Sequence, residues 1–253
     1  MSQGRHEGKV AVITGGAGGI GAAIGRALAA AGFAVVVGFR SSAVAAEKLA
    51  ASLPGSGHAA LRAPVTDSVG LRVLAAAVAE RYERCDVLVN CAGITKFVAH
   101  ADLEGLDDAL IDEIFATNVR GSFAALRALL PLLRTSSRPG GAVVVNISSI
   151  AARTAMGSNV MYCASKAAVD NMTQSLARAL APAVRVVSVS PGLVDTEFVK
   201  SLNPQWRDEQ TARTPLGRLA SPQDVAAAVV AAVRDLTFAT GCVLPVDGGR
   251  PLN

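Results

Sequence analysis

The chain has 253 residues, a length that suits one large α/β domain or two small ones. Its 51% of hydrophobic residues excludes a disordered chain, and no apolar run reaches the roughly 18 residues that a membrane helix needs. The net charge of +4 comes from basic residues scattered along the chain, so it indicates a solvated surface and no nucleic-acid partner.

The cysteines and histidines show no spacing that suggests a metal site or a disulfide framework. We therefore interpret Cys85, Cys91, Cys163 and Cys242 as small buried thiols in a reducing compartment. Residues 1–9 are polar and lack the apolar core of a secretory signal. These features predict a cytoplasmic protein that binds no metal.

Short valine-rich runs alternate along the chain with longer segments of helical periodicity. The runs are typical of parallel strands covered on both faces, and we predict them at Val10–Thr14, Ala34–Phe39, Val87–Asn90, Ala142–Ile147, Arg185–Ser190 and Val243–Val246. Helices are predicted at Ile20–Ala31, Ala43–Leu53, Ser68–Tyr82, Asp107–Leu133 and Asn159–Leu180. This alternation predicts repeated βαβ units and a doubly wound α/β fold.

A glycine-rich turn joins the first predicted strand to the first predicted helix. Gly16 to Gly21 satisfies the pattern GxGxxG, and Gly15 precedes it. Glycines let backbone N–H groups approach a pyrophosphate, whose charge the helix N-terminus stabilises. With the strand before it and the helix after it, this turn predicts a dinucleotide site.

The end of the second strand indicates which dinucleotide binds. An NAD site places an acidic residue there for the ribose 2′-hydroxyl, whereas this chain has Arg40, Ser41 and Ser42. A guanidinium and two hydroxyls suit a 2′-phosphate, so we favour NADP and keep NAD as possible. Alternatively, Arg40 is only an exposed side chain. Asp67 either contacts the adenine or caps the following helix.

Tyr162 and Lys166 lie four residues apart at the start of a predicted helix, and therefore share one face. An adjacent ammonium favours the phenolate form of a tyrosine, which would help it to exchange a proton. Ser148 and Ser149 end a predicted strand, where ligands bind in doubly wound sheets. Asn118 lies mid-helix, where asparagine is mildly unfavourable and its presence suggests a role.

Together these motifs resemble the short-chain dehydrogenase/reductase family. Thr14–Gly21 matches its TGxxxGxG, Asn90–Gly93 its NxAG and Tyr162–Lys166 its YxxxK. The resemblance covers essentially the whole chain. It implies a single Rossmann domain over residues 1–253, with about seven parallel strands in the order 3-2-1-4-5-6-7.

The resemblance also implies four catalytic residues. Tyr162 exchanges a proton with the substrate oxygen, Ser149 hydrogen-bonds that oxygen, Lys166 binds the nicotinamide ribose, and Asn118 holds a water. Ser149 takes this role, and Ser148 a structural one, because Ser149 has the family's usual spacing of thirteen from Tyr162. The implied cofactor contacts are Gly15, Gly18, Gly19, Ile20, Gly21, Arg40, Ser41, Ser42, Asp67, Asn90, Ala92, Gly93, Tyr162, Lys166, Pro191, Gly192, Val194 and Thr196.

One segment, residues 195–218, departs from the alternation. It is polar, carries the only tryptophan, Trp206, and is long for a connection within a compact domain. We predict that it is a substrate lid. Ser221, followed by Pro222 and by Asp224, then predicts the start of another helix.

The segments after the lid resemble 3-oxoacyl-acyl-carrier-protein reductases, although sugar, steroid and xenobiotic reductases share their pattern. Two features depart from it: Val187 replaces a frequent asparagine, and the helix after Lys166 ends without the basic residue expected for a carrier protein. Arg138 and Arg178 are candidates to replace that basic residue.

The leading hypothesis is an NADP-dependent reductase of 3-oxoacyl thioesters or a related alcohol dehydrogenase, with an acyl carrier protein as a possible partner. The alternatives are a sugar, polyol or cyclic alcohol dehydrogenase using NAD or NADP, and a catalytically silent NADP sensor. The resemblance implies a homotetramer.

Overall fold

The computed structural model describes residues 8–138 and 140–252. Residues 1–7, on which most of the expectation about a secretory signal rests, lie outside the described residues. Within the described ranges, no helix is both long and apolar enough to cross a membrane.

The described residues form a seven-stranded parallel sheet in the order β3-β2-β1-β4-β5-β6-β7, as the resemblance implies. Its strands are β1 (Val10–Thr14), β2 (Ala34–Phe39), β3 (Ala59–Arg62), β4 (Val87–Asn90), β5 (Ala142–Ile147), β6 (Val184–Pro191) and β7 (Val243–Val246). The predicted strands are confirmed, with β6 one residue longer at each end. No range is predicted for β3 in the sequence analysis.

Helices cover both faces of the sheet and follow the strands in alternation. They are α1 (Gly19–Ala30), α2 (Ala43–Ser52), α3 (Ser68–Tyr82), α4 (Asp108–Phe115), α5 (Gly121–Arg134), α6 (Ala151–Thr154), α7 (Val160–Leu180), α8 (Glu197–Lys200), α9 (Pro204–Ala212) and α10 (Pro222–Arg234). The segment at 195–218 therefore contains two helices, α8 and α9. Ser221 caps α10 through the reciprocal hydrogen bonds with Asp224 that form a capping box.

Alternate residues of each strand point into two separate apolar layers. Ala11 and Ile13 face the layer under α1 and α10, whereas Val10 and Val12 face the layer under α3 and α5. Because both faces are buried, the strands are nearly continuous in valine. The strand order reverses beside β1, which pairs with both β2 and β4. Ligands bind at such a switch point, outside the carboxyl ends of the strands.

The predicted helix at Asp107–Leu133 is wrong in one respect, because it is not a continuous α-helix. Ala116–Arg120 forms a π-helical turn between α4 and α5, and Asn118 lies in it. The Asn118 side chain is bonded to both backbone groups of Ile94, and the backbone carbonyl of Asn118 accepts from Ser122 Oγ at 2.8 Å. These contacts hold the widened turn, a feature that often marks functional sites.

Candidate active site

A cleft of about 1170 Å³ lies across the carboxyl ends of the strands. We call one part the cofactor half; it is lined by segments within 15–21, 38–42, 63–66 and 91–93. We call the other part the substrate half; it is lined by segments within 94–100, 149–150, 156–158, 193–199 and 206–213 and by Arg250. Tyr162, Lys166, Pro191 and Gly192 also line the cleft.

The cofactor half is built around the glycine turn after β1. Gly15 has φ +64°, and a Cβ there would lie 2.9 Å from the backbone of Ala92. A Cβ on Gly21 would lie 2.3 Å from the Gly15 carbonyl oxygen. Helix α1 starts behind this turn with Gly18 as an N-cap that supplies no side-chain bond and with no acidic residue in its first turn. A close backbone turn before an uncapped helix N-terminus fits the pyrophosphate of a dinucleotide.

The far end of the cofactor half carries Arg40, Ser41 and Ser42, directly after β2. All three are exposed and line the cleft. Among the described residues, Arg40 has no ion pair or hydrogen bond, and Glu197 is the only acidic residue that lines the cleft. This half therefore offers a guanidinium and two hydroxyls and lacks a carboxylate for a ribose 2′-hydroxyl. The residues present fit a nicotinamide dinucleotide.

Helix α7 presents Tyr162 and Lys166 to the middle of the cleft. Asn159, the N-cap of α7, accepts from the Tyr162 backbone N–H at 2.6 Å. Lys166 Nζ lies 5.7 Å from the centroid of the Tyr162 ring and donates to the Ile147 carbonyl at 2.8 Å. Ser149 follows the end of β5, lines the same cleft, and accepts from the Ala151 N–H at 3.2 Å. The described structure thus brings Ser149, Tyr162 and Lys166 to one wall.

Asn118 lies behind this wall and does not line the cleft. Its side chain is 1% exposed, and Nδ2 donates to Ser165 Oγ at 3.0 Å as well as to Ile94 O at 3.1 Å. A Cβ on Gly93 would lie 3.3 Å from Asn118 Oδ1 and 3.7 Å from Lys166 Nζ. Asn118 Oδ1 and Lys166 Nζ therefore both lie beside the backbone of Gly93.

Two predicted cofactor residues do not line the cleft. Asn90 donates to Asn146 Oδ1 at 2.9 Å, and Asn146 Nδ2 donates to Thr173 Oγ1 at 2.8 Å. Asn90 therefore belongs to a buried chain of hydrogen bonds that joins β4, β5 and α7. Asp67 caps α3 by accepting from the N–H groups of residues 69 and 70. The bonds from these two amides lower the pKa of Asp67. Of the two roles considered for Asp67, the helix cap is the one observed.

The remaining predicted cofactor contacts all line the cleft: Gly15, Gly18, Gly19, Ile20, Gly21, Ala92, Gly93, Pro191, Gly192, Val194 and Thr196. Thr196 reaches the glycine turn from the other side, because a Cβ on Gly19 would lie 3.4 Å from Thr196 Cγ2. Ser148 also lines the cleft, but it is only 3% exposed and donates to the Lys166 carbonyl at 3.5 Å.

The substrate half is walled by apolar side chains from separate loops. Phe97 and Trp206 meet edge to face, with ring centroids 6.0 Å apart, and Phe97 and Met156 are each 49% exposed. The loop that carries Phe97 is tied to the residues before Tyr162: Asn159 Nδ2 donates to Lys96 O at 2.8 Å, and the Val98 N–H donates to Ser158 O at 2.9 Å. The loop that carries Phe97 is therefore held next to the start of α7 and Tyr162.

All four cysteines are free thiols, but the prediction that all are buried is wrong for two of them. Cys85 and Cys163 are buried, whereas Cys91 and Cys242 are partly exposed. Cys91 follows β4 at the switch point and lines the cofactor half. Desolvation raises its pKa to about 11, which keeps it a thiol at neutral pH.

Comparison with known proteins identifies the family. A family model described as enoyl-(acyl carrier protein) reductase matches residues 15–250. The granaticin polyketide synthase ketoacyl reductase 2 of Streptomyces violaceoruber is 39% identical over 254 aligned positions, which cover 100% of both chains. The chain belongs to the short-chain dehydrogenase/reductase family. It is thus an NAD(P)-dependent oxidoreductase that acts on alcohol or carbonyl groups.

Other members of the short-chain dehydrogenase/reductase family match over nearly the full length. Cis-4-hydroxycyclohexanecarboxylate dehydrogenase of Sinomonas cyclohexanicum is 38% identical, with 95% of this chain and 96% of that protein covered. The crystal structure of a short-chain dehydrogenase/reductase from Burkholderia xenovorans has a TM-score of 0.90 at 33% identity. The superposition covers 98% of this chain and 100% of that one.

The sequence interpretation missed several residues of the site. Asn159 carries a detectable signal, because an asparagine at the start of a predicted helix is a frequent N-cap. Phe97, Arg213 and Arg250 belong to no motif and lie in loops or at element ends. Local sequence does not indicate that such residues share one cleft.

Proposed function

We propose that this protein is an NADP(H)-dependent reductase of ketones and 3-oxoacyl thioesters, with Tyr162 as its general acid and base. The observation that carries the proposal is the convergence of Ser149, Tyr162 and Lys166 on one wall of a cleft whose other half fits NADP. A catalytically silent sensor does not need this set of side chains, and its presence favours the enzyme.

In reduction, the Tyr162 hydroxyl donates its proton to the substrate carbonyl oxygen. The Ser149 hydroxyl donates a hydrogen bond to the same oxygen and stabilises the negative charge that develops there. The bound nicotinamide supplies the hydride in reduction and accepts it in oxidation. In oxidation, Tyr162 accepts the proton of the alcohol.

Lys166 supports Tyr162 in two ways. Its ammonium, 5.7 Å from the ring centroid, stabilises negative charge on the phenol oxygen, and its bond to Ile147 O fixes its position. Lys166 would also contact the nicotinamide ribose. The widened turn at Asn118 would hold a water that relays the proton between Lys166 and solvent, because Asn118 and Lys166 both lie against Gly93.

The substrate half supports a substrate with an apolar body. Its wall of Phe97, Met156 and Trp206 suits an acyl chain or a carbon ring better than a polyol. The Streptomyces relative is named a ketoacyl reductase, which favours an acyl chain. The Sinomonas relative is named for a hydroxylated cyclohexane, so a cyclic alcohol dehydrogenase is the second candidate.

We further propose a cytoplasmic homotetramer in which residues 195–218 close over the substrate half. The ion pair between Arg207 and Asp195, at 2.7 Å, holds α9 against the segment after β6 and supports the lid. An interface on α5 is supported by Phe123, which is 42% exposed. We expect light scattering to give the mass of four chains, and a monomer would contradict this assembly.

An acyl carrier protein would need exposed basic residues near the cleft. Arg138 is unsuited to this role, because it donates to the Val233 carbonyl at 2.7 Å and lies over the Phe33 ring. Arg178 is exposed, but it lies on the last turn of α7, about 18 Å along the helix from Lys166, so neither arginine supports a carrier-protein site beside the cleft.

The proposal is tested by following NADPH oxidation with acetoacetyl thioesters and with a panel of cyclic and open-chain ketones. We expect turnover of the thioesters with NADPH preferred over NADH. If cyclic ketones are reduced and every thioester is inert, the second candidate replaces the first. If no carbonyl compound is reduced and no alcohol is oxidised with either cofactor, the proposed function is wrong.

Cofactor selectivity is tested by the substitution Arg40→Asp. Because charged hydrogen bonds contribute about 1.5–3 kcal/mol, we expect the NADPH-to-NADH ratio of kcat/KM to fall by about 10- to 100-fold. Arg134→Asp is the matched control, since Arg134 is exposed at the end of α5 and does not line the cleft. An unchanged ratio in Arg40→Asp would refute the assignment of Arg40.

A further inference from the structure

Two arginines line the substrate half at the end walled by α9. Arg213 directly follows α9 as its C-cap, and Arg250 begins a single turn of 3₁₀-helix, Arg250–Leu252, after β7. Neither belongs to a motif of the family named above, and neither has a part in the proton transfer proposed for Tyr162. Their position calls for a separate explanation.

The surroundings of Arg250 supply no negative charge. Its Nη1 donates to the Gln210 carbonyl at 2.9 Å, and its Nη2 donates to Gln210 Oε1, so both acceptors are uncharged. Burial and the nearby positive charge of Arg213 both lower the pKa of Arg250. Among the described residues, no carboxylate pairs with Arg250. A partly buried guanidinium beside a second one is costly unless an anion joins them.

Among the described residues, the cleft lining supplies no free carboxylate for Arg250. Glu197 is the one acidic residue among the described residues that line the cleft, and its carboxylate is paired with Lys200 at 2.8 Å. The same half also carries apolar side chains, among them the edge-to-face pair of Phe97 and Trp206 and the half-exposed Met156. The substrate half thus offers a proton donor, an apolar surface and a positive end.

We propose that Arg213 and Arg250 bind an anionic group of the substrate, so that the enzyme prefers carbonyl compounds or alcohols in which an apolar body joins the reacting carbon to a carboxylate or a phosphate. This inference deepens the proposed function and rests on it. Guanidinium groups bind both anions through paired N–H donors, which gives orientation as well as affinity. Anchoring the far end of the substrate would hold its carbonyl at Tyr162 and Ser149.

The test compares substrates with and without an anionic group away from the reacting carbonyl. One pair is 4-oxocyclohexanecarboxylate and its methyl ester; the other is acetoacetyl-coenzyme A and the uncharged acetoacetyl-N-acetylcysteamine. We expect Arg250→Gln to lower kcat/KM by about 10- to 100-fold for the charged member of at least one pair and by less than about threefold for its neutral partner. A response of the first pair identifies a carboxylate, and a response of the second a phosphate.

Arg213 is exposed, so we expect Arg213→Gln to lower kcat/KM by a smaller factor, about three- to tenfold, for the same charged substrate. Arg234→Gln is the matched control, because Arg234 is exposed on the last turn of α10 and lies outside the cleft. We expect it to leave both members of each pair unchanged.

A purely structural role for Arg250, as a tether between the C-terminal turn and α9, makes different predictions. Gln210→Ala removes the side-chain acceptor and keeps both guanidiniums, while Arg250→Lys keeps the charge and loses the paired geometry. We expect Gln210→Ala to keep the preference for the charged substrate and Arg250→Lys to retain part of it. If Gln210→Ala abolishes the preference as fully as Arg250→Gln, the tether explains the data and the anion site is wrong.

The outcomes separate this inference from the proposed function. If the wild-type protein reduces no ketone, the proposed function fails. If it reduces ketones but Arg250→Gln affects charged and neutral substrates equally, only the anion site fails. Calorimetric titration with cis-4-hydroxycyclohexanecarboxylate in the presence of NADP adds a readout that does not depend on turnover, and for a carboxylate site we expect Arg250→Gln to weaken its binding about tenfold or more.

Discussion

The two halves of the cleft are built in different ways. The cofactor half is made mainly of backbone: Gly15 and Gly21 pack against neighbouring main chain at distances that no Cβ tolerates, and α1 begins directly behind them. The substrate half is made of side chains, from Phe97 in one loop to Arg250 near the end of the described chain. The first half binds a group common to many enzymes, and the second decides which substrate is accepted.

This difference has a physical consequence. A side chain added at Gly15 or Gly21 would clash with main-chain atoms that cannot move away, because the paired strands β1 and β4 hold them in place. Such a substitution is therefore expected to abolish cofactor binding. A wall of side chains changes gradually, since neighbouring groups can move to fill or open space. We therefore expect substitutions in the cofactor half to act on binding of any substrate, and those in the substrate half to act selectively.

The largest difference in NADPH binding is expected between two glycines of α1. Gly21→Ala places a Cβ 2.3 Å from the Gly15 carbonyl and should weaken NADPH binding more than about 100-fold or prevent folding. Gly25→Ala places a Cβ at ordinary contact distance, 3.7 Å from Ile13, and should add up to about 1 kcal/mol of stability because alanine favours helix. Fluorescence titration and urea unfolding measure both effects, and equal tolerance of the two would show that the turn is not a rigid cradle.

A smaller effect is expected where the two halves meet. Ser149→Ala removes a donor to the substrate oxygen and should lower kcat about 100-fold, with NADPH affinity unchanged. Ser148→Ala, one residue earlier, removes only a buried hydroxyl and should cost about 1 kcal/mol of stability with kcat within about threefold of wild type. Steady-state kinetics on both variants decides the assignment, which is reversed if Ser148→Ala is the slower enzyme.

The smallest effect is on stability and concerns a buried carboxyl on α7, the helix that carries Tyr162 and Lys166. Asp170, one turn after Lys166, is 8% exposed, and its oxygens have no hydrogen-bond partner among the described residues. Burial raises its pKa above the ordinary 3.8, an effect that the nearby hydroxyls of Ser148 and Ser188 and the charge of Lys166 partly offset. The folded protein therefore binds this proton more tightly than the unfolded chain does, and stability falls as the pH rises through that range.

Asp170→Asn removes this penalty and should raise the free energy of unfolding at pH 7 by about 1 kcal/mol. The gain should shrink as the pH falls and disappear below pH 3.8, where aspartic acid is protonated in both states. Urea unfolding at a series of pH values measures it. A loss of stability at pH 7 would show instead that the carboxylate is held by favourable contacts.

Local signals predicted the parts of the molecule that depend on local geometry. The strands and the glycine turn were predictable because burial and backbone approach restrict residue type directly, and Tyr162 with Lys166 because helix geometry fixes their spacing. The π-helical turn at Asn118 was not predictable, since it depends on bonds to Ile94 from another part of the chain.

For the substrate half, the sequence predicted a lid at residues 195–218 but not which side chains from other loops line the cleft with it. Trp206 was noticed for its rarity, but its partner Phe97 is more than a hundred residues away. Arg250 lines the cleft because β7 pairs with β6 at the edge of the sheet and the chain after β7 returns to α9, where Arg250 contacts Gln210. Asn90 is the reverse case, because its motif position predicts a cofactor contact and the described structure uses it for internal hydrogen bonds. For Asp67 the sequence allowed an adenine contact or a helix cap, and the structure shows the cap.

The account depends most directly on Tyr162, and the chain offers a matched control in its other tyrosine. Tyr82 donates to the Gly57 carbonyl at 2.7 Å, away from the cleft. The decisive measurement is single-turnover NADPH oxidation by Tyr162→Phe and Tyr82→Phe, with NADPH affinity measured in parallel. We expect Tyr162→Phe to lose activity by about 1000-fold or more with NADPH bound as in the wild type, and Tyr82→Phe to keep its rate. A Tyr162→Phe enzyme that kept more than about a tenth of the wild-type rate would contradict the account.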